Sequence, residues 1–475
     1  MKLLSRRAVP LAAAACIMVL LGACSGGGAV GHGNAPKVLV ITQGTSATQV
    51  ASVRAHACLP QPISVLLFFD DGSFGNFTGR VVWSSSNPGT VAVSNGDYPV
   101  PGVAGAFYPS GTLVPLAPGT AEITATYSAL SAVVSVSVGS LDNAKLKSVI
   151  EGFYVPPAGN NIRMGIGTTY DVALTAELDN VETNVSAYAS WGFQNPNPGV
   201  ATIAPTASTS ARQAGGRIAG VGFGGPLVAQ ATLPLCPLVQ TSTNVTVRPV
   251  QNITVQPQFT GNPALVVGNQ ERMFVFADLG NGPEQDISSQ AILTANDSTI
   301  VRFGASSSLF GLGTPGYYMQ GLSQGGTVIS AAFTGAGVQM QSSTMRVGVV
   351  NADLLAIAVT GAAPSALLPG VSFCNGATAG TSTPAYSQGG SLSSQQFCAL
   401  GTYGGGMVQD ITPEASWTVS DTRLATIGST TTNAGVFTSD TDQFGSVNVT
   451  ATAPSSASGT IVVNTATTAI TVNPH

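Results

Sequence analysis

The sequence predicts an all-β protein, built as four tandem β-sandwiches behind an export signal. Three observations carry that expectation. Only 8% of the 475 residues are charged, yet 44% are hydrophobic, with Val, Ile, Leu and Ala spread along the whole length. A chain of that kind can build cores and is not a solvated acidic tail. One eight-residue window recurs four times without a gap. Beyond the first two dozen residues, apolar positions alternate with period two and show no 3.6-residue helical period. The composition also narrows function. With 16 Lys+Arg against 21 Asp+Glu, few basic side chains remain for phosphate, which argues against nucleic-acid binding. After residue 24 no apolar run approaches the ~20 residues a spanning helix needs.

Taken in order, residues 1–23 read as a signal peptide. Lys2, Arg6 and Arg7 give a basic start, and Ala8 to Leu21 gives a short apolar stretch. The stretch ends in Leu21-Gly22-Ala23-Cys24, which resembles the lipobox of bacterial lipoproteins. That resemblance implies cleavage before Cys24 and acylation of its thiol. Cys24 is therefore the candidate lipidation site, and the membrane a partner through that lipid, since more than one acyl chain anchors stably. Residues 24–35, with Ser25, Gly26, Gly27 and Gly28, form a flexible tether. Ser25 in place of Asp resembles lipoproteins sorted to the outer membrane, which implies an exported, lipid-anchored protein at the outer membrane or cell surface. Loss of residues 1–23 leaves 13 basic and 21 acidic groups, a net charge of −8.

The recurring window occupies Asn76–Trp83, Asn184–Trp191, Asp286–Leu293 and Asp410–Trp417. Each copy begins Asn/Asp, apolar, Ser/Thr and ends on an aromatic or large aliphatic anchor. Asp286–Gly304 and Asp410–Gly428 continue to match over nineteen residues. The anchors are 108, 102 and 124 residues apart, near the ~100 residues of one sandwich and outside the 20–50 of a solenoid repeat. The expected domains are 36–140, 141–248, 249–350 and 351–475. An apolar strand precedes each anchor: Ile63–Phe69, Tyr170–Ala176, Arg272–Ala277 and Gln396–Tyr403. A shorter one follows: Val91–Val93, Val200–Ile203, Ile300–Phe303 and Leu424–Ile427. Then come alternating strands such as Gly119–Thr126 and Gly445–Thr452, and a closing Val/Thr/Ser strand such as Ala132–Val138.

Trp83–Val93 followed by Gly119–Ala125 resembles the bacterial immunoglobulin-like domain, group 2, which recurs in tandem on bacterial surface proteins including intimin- and invasin-type adhesins. In the third repeat Leu293 replaces Trp. The resemblance covers about residues 36–475 and implies four immunoglobulin-like β-sandwiches and a surface location. It carries no catalytic residues.

The motifs that suggest chemistry lack their context. Gly321-Leu322-Ser323-Gln324-Gly325 matches the hydrolase elbow, but that elbow needs a following helix and later acid and His residues. Here Thr327–Phe333 reads as a strand and the later His is His475, so the match reads as a turn. Gly220–Gly225 and Gly311–Gly316 match G-x-G-x-x-G without opening a helix. His32, His56 and His475 are scattered, and the acidic pairs Asp70-Asp71 and Asp440/Asp442 offer too few oxygens for calcium. No metal or other cofactor is expected. Trp83, Trp191 and Trp417 all sit at anchors and read as core. Phe107, Tyr108, Tyr317 and Tyr318 lie near Gly and Pro in expected loops and are the candidate ligand contacts.

Six Cys are present. With Cys16 in the signal and Cys24 acylated, Cys58, Cys236, Cys374 and Cys398 remain to pair in an oxidising compartment. Cys374 and Cys398 bracket a Gly/Ser/Thr/Gln-rich insertion in the fourth repeat, and closing that loop stabilises by about 3 kcal/mol in the chain-entropy model. Cys58 precedes the strand Ile63–Phe69 and falls in the loop between the first and second strands, Cys236 in the last hairpin loop of the second repeat. The expected pairing is an interdomain Cys58–Cys236 disulfide fixing the first junction, with the other junctions freer. The leading function is a non-enzymatic surface lipoprotein, a stalk for adhesion or envelope scaffolding with an unnamed protein or glycan ligand. The alternative is a polysaccharide-binding accessory lipoprotein. No acid–base–nucleophile set points to an enzyme.

Overall fold

The protein, seen in a computed structural model, is all β, with successive sandwiches along the chain. The described residues run from 35 to 472, leaving out 44–48, 151–152, 156, 158–159, 208–213, 259–263, 281–283, 307–315, 336–337, 343, 362, 365–371, 374–393, 413, 430–433, 440–444 and 456–461. Among them there is no α-helix; helical turns are single 3₁₀ turns such as Ser186–Tyr188, Ser288–Gln290 and Gly404–Gly406.

The first repeat shows how the pattern makes the layers. One sheet runs in the order Ser52–His56, Leu130–Gly139, Gly119–Tyr127, Val82–Ser85. The other is Pro36–Thr42, Ser64–Phe69, Phe74–Asn76. On Leu130–Gly139, Ala132, Val134, Val136 and Val138 are buried while Ser131, Val133, Ser135 and Ser137 face out. Period-two alternation thus gives one dry and one wet face. In each of the first three repeats a short strand runs parallel to the last strand: Ser52–His56 on Leu130–Gly139, Asn161–Gly165 on Cys236–Arg248, and Leu265–Val266 on Met345–Val350. The expected strands appear with their ends moved by a few residues. Cys236 is a correction: it starts the strand Cys236–Arg248, paired with Leu233 across a two-residue turn, and is not in the loop itself.

The repeated window proves to be a backbone-satisfying device. The Asn/Asp side chain accepts the N–H of the Ser/Thr two residues on, at 2.9 Å in all four copies: Asn76 from Thr78, Asn184 from Ser186, Asp286 from Ser288 and Asp410 from Thr412. The Ser/Thr hydroxyl in turn accepts an N–H of the preceding strand, that of Val65, Leu174, Val275 or Ala399, at 2.8–2.9 Å. The apolar residue between them donates its N–H to the carbonyl of that same strand residue. Each window therefore locks a crossing segment to a strand that would otherwise carry an unpaired buried amide.

Anchors close the cores. Trp83 and Trp417 are buried and donate their indole N–H to Thr78 O and Thr412 O, both at 3.0 Å. Leu293 is buried in their place. Trp191 departs from the expectation: it is half-buried, its indole N–H has no hydrogen-bond partner, and its ring lies over Gly216, where a Cβ would come within 2.6 Å. The third and fourth repeats each have a continuous core; in the fourth, Phe397 and Phe437 meet edge to face at 5.7 Å.

The chain divides into two compact units, one ending at Ser140 and one beginning at Leu141. The second, third and fourth repeats thus pack together, where the sequence reading had left their junctions free. The reason lies in the joints.

Candidate functional site: the joints between repeats

A turn follows the short parallel strand in each of the first three repeats, and its geometry is conserved among them. Ala57, Ile166 and Val267 donate to Gly139 O, Arg248 O and Val350 O. The next residue, Cys58, Gly167 or Gly268, is left-handed, with φ of 72°, 81° and 89°. It donates to Pro115 O, Gly220 O or Gly321 O. Cys58 therefore stands in a conformation that Gly fills in its two counterparts, at a strain of about 1–2 kcal/mol for a residue with a Cβ.

In the second and third repeats this turn receives the following repeat through a glutamine. Gln285 Oε1 accepts the Gly165 N–H at 2.8 Å and lies 2.9 Å from the Thr168 hydroxyl; its Nε2 donates to Thr169 O at 3.1 Å. Gln290 adds a two-way pair with the Thr169 backbone, and Arg163 donates to Gly280 O at 2.7 Å. Gly167 and Gly335 touch backbone to backbone, so that a Cβ on either would lie 2.3 Å from the other's carbonyl oxygen. One joint later, Gln409 Oε1 accepts the Val266 N–H at 3.3 Å and Asn269 Nδ2 at 2.7 Å, and its Nε2 donates to Ala264 O at 3.1 Å. Asn269 also donates to the Tyr403 hydroxyl at 2.7 Å. Gly165 and Val266 are the same position in register, paired with Arg248 and Val350. Gln285 and Gln409 are likewise equivalent, each directly before its window's Asp. Val266 also packs into the fourth repeat's core. The second repeat has Thr183 where the latch glutamine would be.

The joint between the third and fourth repeats also holds buried charge. Arg272 and Asp410 are buried, and both Glu414 carboxylate oxygens are shut from solvent without a hydrogen-bond partner. Burial pushes the Asp410 carboxyl up to about 6 against the opposing pull of its Thr412 hydrogen bonds and Arg272. Burial, and then the neighbouring Asp410, push Glu414 up to about 8. Burial raises the Tyr318 and Tyr403 phenols as well.

The residues expected to carry function are placed as follows. Cys24, Cys374 and His475 lie outside the described residues, as does the side chain of Tyr317. Cys58, Cys236 and Cys398 are each disulfide-bonded. Tyr318 is a correction: it is buried on the strand Gly316–Gly321, opposite Arg272 and with that guanidinium 6.0 Å from its ring centre, so it cannot serve as a ligand platform. Phe107 is exposed, and Tyr108 beside it is half-buried with its ring 6.2 Å from that of Tyr98. Ser323 sits in the tight turn between Gly316–Gly321 and Gly325–Gly335 and donates to Thr299 O at 2.7 Å, which is a turn and not a nucleophile elbow. Among the described residues no group of three His, Cys, Asp or Glu is placed to hold a metal, and no helix is long and apolar enough to cross a membrane.

No protein-family model matches the chain. It is 23% identical over 424 residues to Ice-binding protein 1 of Shewanella frigidimarina, an alignment that covers 88% of this chain and 39% of that relative. Among solved structures it is similar to domains 4–9 of the surface layer protein SbsC, at 14% identity and a TM-score of 0.23, over 92% of this chain and 66% of the other. It is also similar to FdeC, an Escherichia coli adhesin, at 14% identity and a TM-score of 0.19, over 68% of this chain and all of the other.

Proposed function

We propose that this chain is a non-enzymatic surface lipoprotein, anchored through Cys24, whose repeats are bacterial immunoglobulin-like group 2 domains that space or present an adhesive or scaffolding surface. The observation that carries the reading is the recurring glutamine latch. Selection for a catalytic site would leave converging polar groups in a cleft; here the buried side chains of Gln285, Gln409, Arg272 and Asp410 lie at the contacts between repeats. Holding successive domains in register serves a spacer, since relative domain motion is the default without a substantial interface. The similarity to an ice-binding protein spans 39% of that relative's length, and we carry none of its binding activity over.

We further infer that Cys58 pairs with Cys236 and Cys374 with Cys398. Cys58 occupies the turn position that, in the next two repeats, lies in the turn receiving the following repeat, and a disulfide there would replace the glutamine that the second repeat lacks. A polysaccharide-binding role retains exposed Phe107 and the half-buried Tyr98–Tyr108 pair after Tyr318 is withdrawn.

The anchor is tested in the producing bacterium. Cys24→Ala should abolish palmitate incorporation and release the protein from the membrane fraction, and protease added to intact wild-type cells should degrade the anchored form. Unchanged labelling of the variant would sink the lipoprotein claim, and full protection in intact cells would sink the surface location.

A further inference from the structure

The joint between the third and fourth repeats contains ionisable groups that a static spacer does not need. Arg272, on Gln270–Asp278, and Tyr318, on Gly316–Gly321, come from the third repeat. Asp410, on Val408–Asp410, and Glu414 just beyond it come from the fourth. They are close enough to act on one another: Tyr318 feels Arg272, Asp410 and Glu414, and Asp410 feels Arg272. Tyr403, on Ser394–Tyr403, lies near Glu414, and Asp286 of the third repeat draws on the same Arg272. Asp286 and Asp410 therefore share one guanidinium, and Glu414 faces Asp410 instead. Asp410 has the Thr412 amide as a donor, but both oxygens of Glu414 are buried with no donor from another residue. An ionised carboxylate in that position is strongly unfavourable, and a neutral carboxyl is tolerated.

We propose that this joint is a proton-responsive hinge, closed while Glu414 is protonated and loosened when Glu414 and Asp410 both ionise. Opening the joint returns the two carboxyls to water, where they titrate near their ordinary values of about 4. In the closed joint burial holds Asp410 up at about 6 and Glu414 up at about 8. Between those limits the closed form binds more protons than the open one, so closure weakens steadily as pH rises from about 4 to about 8 and changes little beyond. The direction is opposite to that of a salt-bridged carboxylate. A mildly acidic surrounding stiffens the second unit; an alkaline one frees its last repeat.

The amide of Val266 reports closure, because it donates across the joint to Gln409. Hydrogen exchange of the full-length protein, corrected for intrinsic rates, is to be followed at that amide from about pH 6 to about pH 9, with amides of Ser64–Phe69 in the first repeat as reference. Val266 protection should fall about tenfold or more in the wild type, a change of about one proton-linked decade, while the reference stays flat. Glu414→Gln, which is isosteric and cannot ionise, should hold Val266 protection level across the range. Asp410→Asn gives a second variant, tolerated because Asn76 and Asn184 fill that position in the first two repeats. It should reduce the fall without abolishing it. A flat wild-type profile, or the same fall in both variants, would overturn the proposal.

Discussion

Thr78, Ser186, Ser288 and Thr412 each place one hydroxyl against one strand amide, and the recurrence makes the hydroxyl a measurable element of stability. In the third repeat the Ser288 hydroxyl accepts the Val275 N–H in a site closed to water. Ser288→Ala removes the acceptor and leaves the amide buried and unpaired, which should cost about 1–3 kcal/mol. Ser288→Thr keeps the oxygen and copies what the first and fourth repeats carry, so it should stay within about 0.5 kcal/mol of wild type, as a substitution with no lost interaction does. Urea unfolding measures both; equal midpoints for the two variants would show that the hydroxyl matters little. The same reasoning explains why the window was legible at all. Three of its positions, Asn/Asp, apolar and Ser/Thr, answer to backbone geometry and recur without regard to the rest of the sequence.

At the scale of elements the latch glutamines show where legibility ended. Gln285 and Gln409 stand one residue ahead of the matched windows, outside the positions that the repeat singled out. Their partners, the backbones of Gly165 and Val266, lie about 120 and 143 residues earlier, and no local periodicity marks a contact of that kind. Tyr318 was misread for a related reason. A Tyr-Tyr pair among glycines suggests a loop, but on the strand Gly316–Gly321 alternation turns one of the two inward onto Arg272. The Trp anchors were read as core because three of four share a register, and Trp191 deviates where Gly216 leaves its ring half-covered. Gln409→Ala removes the acceptor of the Val266 N–H and the donor to Ala264 O. The variant should lose about 1–3 kcal/mol, and Gln285→Ala should do the same at the preceding joint. Gln240→Ala, at an exposed position on Cys236–Arg248, should change little. If all three variants melt alike in urea, the latches are incidental.

For the whole molecule the two compact units and the cysteines make a joint prediction. Leu141–His475 packs as one body, and the first repeat closes its own core. In reductant, calorimetry should therefore resolve two transitions, a small one for the first repeat and a larger cooperative one for the other three. In the oxidised protein a Cys58–Cys236 bridge would close a loop of well over a hundred residues, and such a constraint on the unfolded chain is worth about 4–5 kcal/mol. The first repeat's transition should then move upward toward the larger one. Relief of strain at Cys58, left-handed at φ 72°, separates the bridge from the residue itself: Cys58→Gly should melt at or slightly above the reduced wild type and gain nothing on oxidation. Non-reducing peptide mapping of the same oxidised sample should recover Cys58 joined to Cys236. Recovery of either cysteine joined to Cys374 or Cys398 would remove the bridge, and four separate melting transitions in reductant would remove the latched second unit.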